Sequence, residues 1–168
     1  MTETNDNDST VGSSLRSSIT SLDSSDIKFP EENGRAYHAY KEGKYQWPND
    51  EQERNRMDLQ HYLFRLTFDG KLFTCPIDEK KGNIHRVLDA GTGTGIWAIN
   101  FGDNYPEAHV LGIDLSPIQP KDVPPNVEFE VDDLEEPWTF SDKFDFIFSR
   151  MMTGSFHDWP RFFEQSLE

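Results

Sequence analysis

Basic residues are scarce in this chain. Its 168 residues carry 16 Lys and Arg against 31 Asp and Glu, a formal net charge of -15. Affinity for polyphosphate comes from Lys and Arg, so neither nucleic acid nor an anionic membrane is expected as a direct partner. Cysteine occurs once, at Cys75, so no internal disulfide can form. A lone cysteine also argues against a structural zinc site. No run of about 18 apolar residues is present, and no segment reads as a membrane span. The N-terminus lacks the apolar stretch of a secretory signal. These absences suit an intracellular chain, cytoplasmic or nuclear.

Two phosphate-binding spacings are missing as well. Starting from Gly91, a dinucleotide fingerprint needs its third glycine at position 96, where Ile96 stands, and no Gly-Lys-Ser/Thr of a P-loop follows. An NAD-dependent oxidoreductase is disfavoured on that ground. What the chain does have is Val87-Leu88-Asp89-Ala90-Gly91-Thr92-Gly93-Thr94-Gly95. A short apolar run closes on an acid, three glycines alternate, and a helix-like segment follows from Ile96 to Asn104. This reads as a buried strand, a tight turn and a helix N-terminus. Glycine at such a turn permits positive φ and removes Cβ atoms that would block a ligand. About 20 residues later a second apolar run ends in Asp114, the place where Rossmann-like folds hold a ribose diol.

The fold class expected is α/β, a Rossmann-like sheet preceded by a helix and a tail. Residues 1–30 are rich in Ser and Thr and too poor in apolar residues to offset their ordering entropy, so they read as a disordered tail. Residues 31–85 read as an N-terminal helical or lid segment. Within it a helix is expected over Asp50 to Phe68, capped by Asn49 or Asp50 with Gln52 or Glu53 at the capping-box offset. Met57, Leu59, Leu63 and Leu66 give it an apolar face, and Gly70 ends it. His61 reads as a satisfied interface histidine. Residues 86–168 read as a partial Rossmann-like domain. Strands are expected over 86–90, 109–114, 127–131 and 144–148, in spatial order third, second, first, fourth. Pro117, Pro120, Pro124 and Pro125 forbid a regular helix in the crossover between the second and third strands. A last helix is expected from Asp158 onward. Ligands of open α/β sheets lie outside the carboxyl ends of the strands, which here carry Asp89, Gly91, Gly93, Asp114, Asp132, Asp133, Ser149 and Arg150.

The glycine loop resembles motif I of class I S-adenosylmethionine (SAM) methyltransferases. Further stretches resemble the LaeA-like methyltransferases of fungi: Tyr37-His38-Ala39-Tyr40, Tyr45 with Pro48-Asn49-Asp50-Glu51, Ile113 to Pro120, and Val123-Pro124-Pro125-Asn126-Val127. So do Asp132-Asp133-Leu134-Glu135, Pro137-Trp138-Thr139-Phe140, Phe144-Asp145-Phe146-Ile147 and Gly154-Ser155-Phe156-His157-Asp158-Trp159. The resemblance covers residues 34 to 168. It implies a class I methyltransferase fold, SAM as cofactor, a methyl acceptor of unassigned class, and a link to fungal secondary metabolism with a regulatory protein partner in some members. The cofactor-binding set it implies is Asp89, Gly91, Gly93, Gly95, Asp114, Leu115, Asp132, Asp133, Leu134, Ser149 and Arg150. Asp89 with the Gly91 and Gly93 backbone would face the methionyl part, and Asp114 the ribose. Asp133 or Asp132 would meet the adenine amino group, the family pattern favouring Asp133, with Leu134 against the ring. Arg150 would hold the SAM carboxylate or an acidic acceptor, or form a surface ion pair. His61 and His157 are weak candidates for a base, and His157 suits a capping or packing role better.

Class I sheets have seven strands, whereas this chain supplies four and stops in the following helix. It is read as shortened after the fourth strand, leaving that strand an exposed apolar edge and much of the acceptor pocket missing. A second reading follows: a methyltransferase-like module that acts through protein partners without turnover.

Overall fold

A computed structural model describes residues 29–38, 45–77 and 84–168. The tail expected over 1–30 lies outside them except for its last two residues, as do Ala39-Tyr40 and Lys80-Lys81-Gly82.

The described chain opens on a hairpin that the sequence reading did not anticipate. Strands β1 (Glu31–Glu32) and β2 (Arg35–Ala36) pair antiparallel. Their two-residue turn is Asn33-Gly34, both at positive φ (52° and 75°). Asn-Gly is the pair that such a turn favours, because its twist matches the flanking strands. Arg35 of the hairpin makes a two-pronged ion pair with Asp50, and the Asn49 amide donates to the Ala36 carbonyl at 2.8 Å.

Helix α1 (Glu51–Thr67) starts as expected. The Asp50 side chain accepts from the Glu53 amide at 3.0 Å, and Glu51 and Glu53 sit in the first turn, against the positive helix end. Gly70, at φ 81°, donates to the Arg65 carbonyl at 2.7 Å and stops it. Its faces are the reverse of the expectation. Leu59, Leu63 and Leu66 are exposed together with Tyr62, whereas the fully buried positions are Glu53 and His61. The inner face is polar because it looks onto a cleft rather than onto the hydrophobic core.

The central sheet is parallel, with β3 (Arg86–Ala90), β4 (His109–Asp114), β5 (Val127–Val131) and β6 (Phe146–Ser149) in the order β5-β4-β3-β6. That is the order expected. Between β4 and β5 no helix forms, as the prolines require. The fourth strand begins two residues later than expected. Asp145 lies outside the ladder because its carboxylate accepts from the His85 and Arg86 amides at 2.8 and 2.9 Å, fastening the start of β6 to β3.

Helix α2 (Ile96–Asn104) covers one face of the sheet. There Val87, Val110 and Val127 pack with Trp97, Phe101, Phe73 and Tyr105. Trp97 stacks flat on Phe148 at 3.9 Å between ring centroids, and its indole N–H donates to the Leu72 carbonyl at 3.0 Å. Helix α3 (Trp159–Leu167), capped by Asp158, covers the other face, where Leu88, Ala90, Leu111, Ile113 and Leu134 surround Phe162. Each such side chain contributes about 1.5–3 kcal/mol of burial. The result is a rigid platform whose strand ends present the glycine loop.

Candidate functional site

The glycine loop leaves β3 and enters α2 through three left-handed residues, Gly91 (φ 75°), Gly93 (φ 58°) and Gly95 (φ 81°). L-residues with a side chain adopt this region only at a cost. The three glycines differ in what they face. A Cβ on Gly91 would stand 2.3 Å from the Met152 sulfur, and one on Gly93 would stand 3.3 Å from that of Met57. Both open toward the cleft. A Cβ on Gly95 would meet the Phe129 ring at 2.4 Å, so Gly95 permits core packing behind the loop.

The cleft has two connected lobes above the carboxyl ends of the strands. The outer lobe is walled by Asp114, Leu115, Ser116, Asp132, Asp133 and Leu134 on the sheet side, and by Tyr45, Asn49 and Phe156 across from them. The inner lobe is walled by Asp89, Thr92, Thr94, His61 and Phe148. Met57, Gln60, Gly91, Gly93, Arg150 and Met151 border both. Of the expected site residues, Asp89, Gly91, Gly93, Asp114, Leu115, Asp132, Asp133, Leu134 and Arg150 therefore meet in one cleft. Gly95 and Ser149 do not line it; Ser149 ends β6 opposite Ala90.

Asp114 is held as an acceptor. One carboxylate oxygen receives the Gly93 amide at 2.8 Å and the other the Ser116 amide at 3.1 Å. Burial raises its pKa above the usual carboxylate value, and the amides of Gly93, Ser116 and Leu115 pull it back. Asp89 is buried beneath the loop, and Thr92 Oγ1 donates to it at 2.6 Å. Burial pushes its carboxyl up to about 7, against the pull of Thr92 and Arg150, and Asp114 adds to the rise. The Asp133 carboxylate accepts from the Glu135 amide at 3.1 Å and is buried, whereas Asp132 is half-buried.

Helix α1 roofs the cleft through polar contacts. Thr94 Oγ1 donates to Asp58 at 2.6 Å, Arg65 reaches Asn100 at 3.1 Å, and Arg150 reaches His61 Nδ1 at 3.1 Å. His61 is not the satisfied interface histidine expected, because its Nε2 is buried without a partner. A second wall comes from the loop after β6. Met151 is left-handed there (φ 61°), a conformation that side-chain-bearing residues rarely hold. The Tyr45 hydroxyl and Ser155 share a hydrogen bond, and Glu135 accepts from the amides of His157 and Asp158. His157 thus tethers this loop, and Asp158 does the capping.

A family model described as a methyltransferase domain matches residues 59–168. The chain belongs to this methyltransferase family. It is 46% identical over 150 residues to methyltransferase pytC of Aspergillus terreus, a match covering 89% of this chain and 45% of that protein. It is 45% identical over 136 residues to the secondary metabolism regulator LAE1 of Cochliobolus heterostrophus, covering 80% of this chain and 44% of that protein. It is 41% identical over 156 residues to the protein-methionine methyltransferase laeA of Emericella nidulans, covering 92% and 41% respectively. The LaeA-like resemblance is thereby shown, and the chain spans a little under half the length of these relatives.

The sequence reading expected a lid from the N-terminal segment of this methyltransferase domain but did not name the residues of the roof and second wall. Tyr45, Asn49, Arg56, Met57, Gln60, Met151, Met152 and Phe156 all line the cleft. Tyr45, Asn49 and Phe156 stand in stretches that mark the family, but a marker carries no geometry, and Arg56, Met57, Gln60, Met151 and Met152 stand in none of them. Only the hairpin's Asn-Gly turn offered a physical signal that could have been used.

Proposed function

We propose that this chain carries the cofactor site of a SAM-dependent methyltransferase. The observation that carries the reading is the charge of the cleft around the glycine cradle. Asp89, Asp114, Asp132 and Asp133 line it together with Arg150, and Arg56, the other cation there, is already held by Glu53 at 2.7 Å. Such a lining repels a diphosphate and suits a ligand with a sulfonium, an ammonium and one carboxylate. The cradle fits too, because Gly91 and Gly93 bring bare left-handed backbone to the cleft wall, where the nearest atoms are the flexible Met152 and Met57 thioethers.

When bound, SAM supplies a methyl group on a positively charged sulfur, ready for in-line displacement. The chain's part is positioning. Asp114, its geometry fixed by two amides, accepts from the ribose hydroxyls. Asp133, with Leu134 beside it, accepts from the adenine amino group. Asp89 and the backbone of Gly91 and Gly93 face the methionyl end. Alignment alone supplies much of the rate in such a transfer, so no triad or metal is called for. The name of the Emericella nidulans relative supports a protein thioether as the acceptor to try first. The name of the Cochliobolus heterostrophus relative supports a role in fungal secondary metabolism.

Calorimetric titration of the chain with S-adenosylhomocysteine tests the reading. Saturable binding is expected, weakened at least about 100-fold by Asp114→Ala, since two charge-assisted hydrogen bonds are lost. Absence of binding by folded wild-type chain would refute it and favour a partner-binding module.

A further inference from the structure

The hairpin ahead of α1 holds a main-chain bond prone to rearrangement. Asn33-Gly34 is the one Asn-Gly pair in the chain. Both residues are exposed and left-handed, and together they make the whole turn between β1 and β2. Glycine has no Cβ to shield its amide, so the Gly34 nitrogen has open access to the side-chain carbonyl carbon of Asn33. Among the described residues no hydrogen bond holds that amide. Ring closure between the two groups needs a main chain more open than the left-handed turn. Strands of two residues each allow such opening, because an isolated two-stranded hairpin is marginally stable in water. Asp69-Gly70, at the end of α1, has the same pair of left-handed residues (φ 52° and 81°). There the Gly70 amide is engaged, donating to the Arg65 carbonyl at 2.7 Å, and a carboxylate is a poorer electrophile than an amide. The hairpin turn is thus the more reactive of the two.

We infer that Asn33-Gly34 is a site of deamidation whose isoaspartyl product releases the cap of α1. The Gly34 nitrogen attacks the Asn33 side-chain carbonyl carbon. A new C–N bond closes a five-membered imide, and the side-chain nitrogen leaves as ammonia, taking the Gly34 amide proton. Water then opens the imide. Opening at the side-chain carbonyl gives ordinary aspartate. Opening at the main-chain carbonyl gives isoaspartate: the chain now runs through the side-chain carbons, which adds one atom to the main chain and leaves a free carboxylate. The pairing of Glu31 with Ala36 and of Glu32 with Arg35 depends on a two-residue turn whose twist matches the strands. A lengthened turn no longer holds that register. Arg35 stands directly after the turn, and its guanidinium grips the carboxylate of Asp50, the N-cap of α1. Loss of register therefore takes Arg35 away from Asp50. The site is independent of what occupies the cleft.

Ageing the full chain at mildly alkaline pH, followed by peptide mapping with electron-transfer fragmentation, tests this. The fragmentation separates isoaspartate from aspartate. Conversion is expected at Asn33 ahead of every other asparagine and ahead of Asp69. Asn33→Gly keeps a turn-forming pair but has no side-chain carbonyl, and it is expected to show no conversion at position 33. Thermal denaturation gives a second readout. The midpoint of aged wild-type chain is expected to fall in proportion to its isoaspartate, toward that of fresh Arg35→Met. Aged Asn33→Gly and aged Arg35→Met are expected to keep the midpoints of their fresh samples. Conversion at Asn33 no faster than at other asparagines, or slower than at Asp69, overturns the site. Conversion at Asn33 with an unchanged midpoint, or an equal fall in Arg35→Met, overturns the release of the α1 cap.

Discussion

Replacing Asp89 with asparagine is expected to stabilise this fold at neutral pH while weakening its ligand binding. The carboxyl is 3% exposed, accepts one short hydrogen bond from Thr92, and is pushed up to about 7 by burial. In the unfolded chain it titrates near the ordinary value of 3.8. Between those two values the folded state binds a proton that the unfolded state has lost, so stability falls as pH rises. At about 1.4 kcal/mol per unit, the full penalty above pH 7 is about 4 kcal/mol. Roughly 2–3 kcal/mol of it is incurred between pH 5 and pH 8. The asparagine variant has no such proton, and the Thr92 hydroxyl can donate to its carbonyl instead. Urea unfolding of both proteins at pH 5, 6, 7 and 8 reads the effect. The wild-type midpoint should drop by about 1 M across that range relative to the variant, for a urea slope of roughly 2 kcal/mol per molar. Equal pH slopes in the two proteins would refute the assignment of the perturbed carboxyl to Asp89.

Other consequences are simpler to state. Gly95→Ala is expected to cost about 2–4 kcal/mol, because its Cβ would enter the Phe129 ring in addition to occupying a left-handed position. Gly91→Ala is expected to cost only about 1 kcal/mol, because the Met152 thioether can swing aside, yet to weaken S-adenosylhomocysteine more than Gly95→Ala does; thermal denaturation and calorimetry on both variants read the contrast. For Arg35→Met the loss of stability should be present at neutral pH and disappear in acid. The Arg35 guanidinium, and then the Glu53 amide, hold Asp50 down at about 2, so its contribution is present above the ordinary carboxylate range and lost as pH falls through 2. The variant should show a flatter decline of stability from pH 4 to pH 2, followed by circular dichroism.

The sheet was legible because three of its strands carry short apolar runs closed by a change of texture, and the other, Val127–Val131, alternates with Val127, Phe129 and Val131 on one face. Val87-Leu88 and Val110-Leu111 are followed by acids, and the prolines between positions 117 and 125 leave no room for a helix. Strand order came with the family resemblance. The start of β6 was misplaced because Asp145 looks like a strand residue in an apolar run, and nothing local says that its carboxylate will cap His85 and Arg86. The facing of α1 was misread for a similar reason. Leu59, Leu63 and Leu66 form an apolar row, and an apolar row is ordinarily buried. The helix instead buries His61 and Glu53, because the surface beneath it holds Arg150 and the glycine loop rather than a hydrophobic core. Polar partners 36 to 89 residues apart, such as Thr94 with Asp58 or Arg150 with His61, cannot be paired from one sequence.

The same misreading identifies the most informative feature of the cleft. A helix fixed over apolar surface would be held by burial, whatever the ligand. Here α1 is fixed to the loop and strand ends by Thr94–Asp58, Arg65–Asn100 and Arg150–His61, each a contact worth little on its own in water. Two of these three contacts are made by residues that wall the inner lobe, so the helix and the lobe are ordered together. A ligand in that lobe would touch Thr94, His61 and Arg150, the residues that seat α1, so its binding and the seating of α1 would be coupled, each strengthening the other by linkage. The polar roof thus ties the order of the N-terminal segment to occupancy of the cleft, which an apolar roof of the kind read from the sequence would not do.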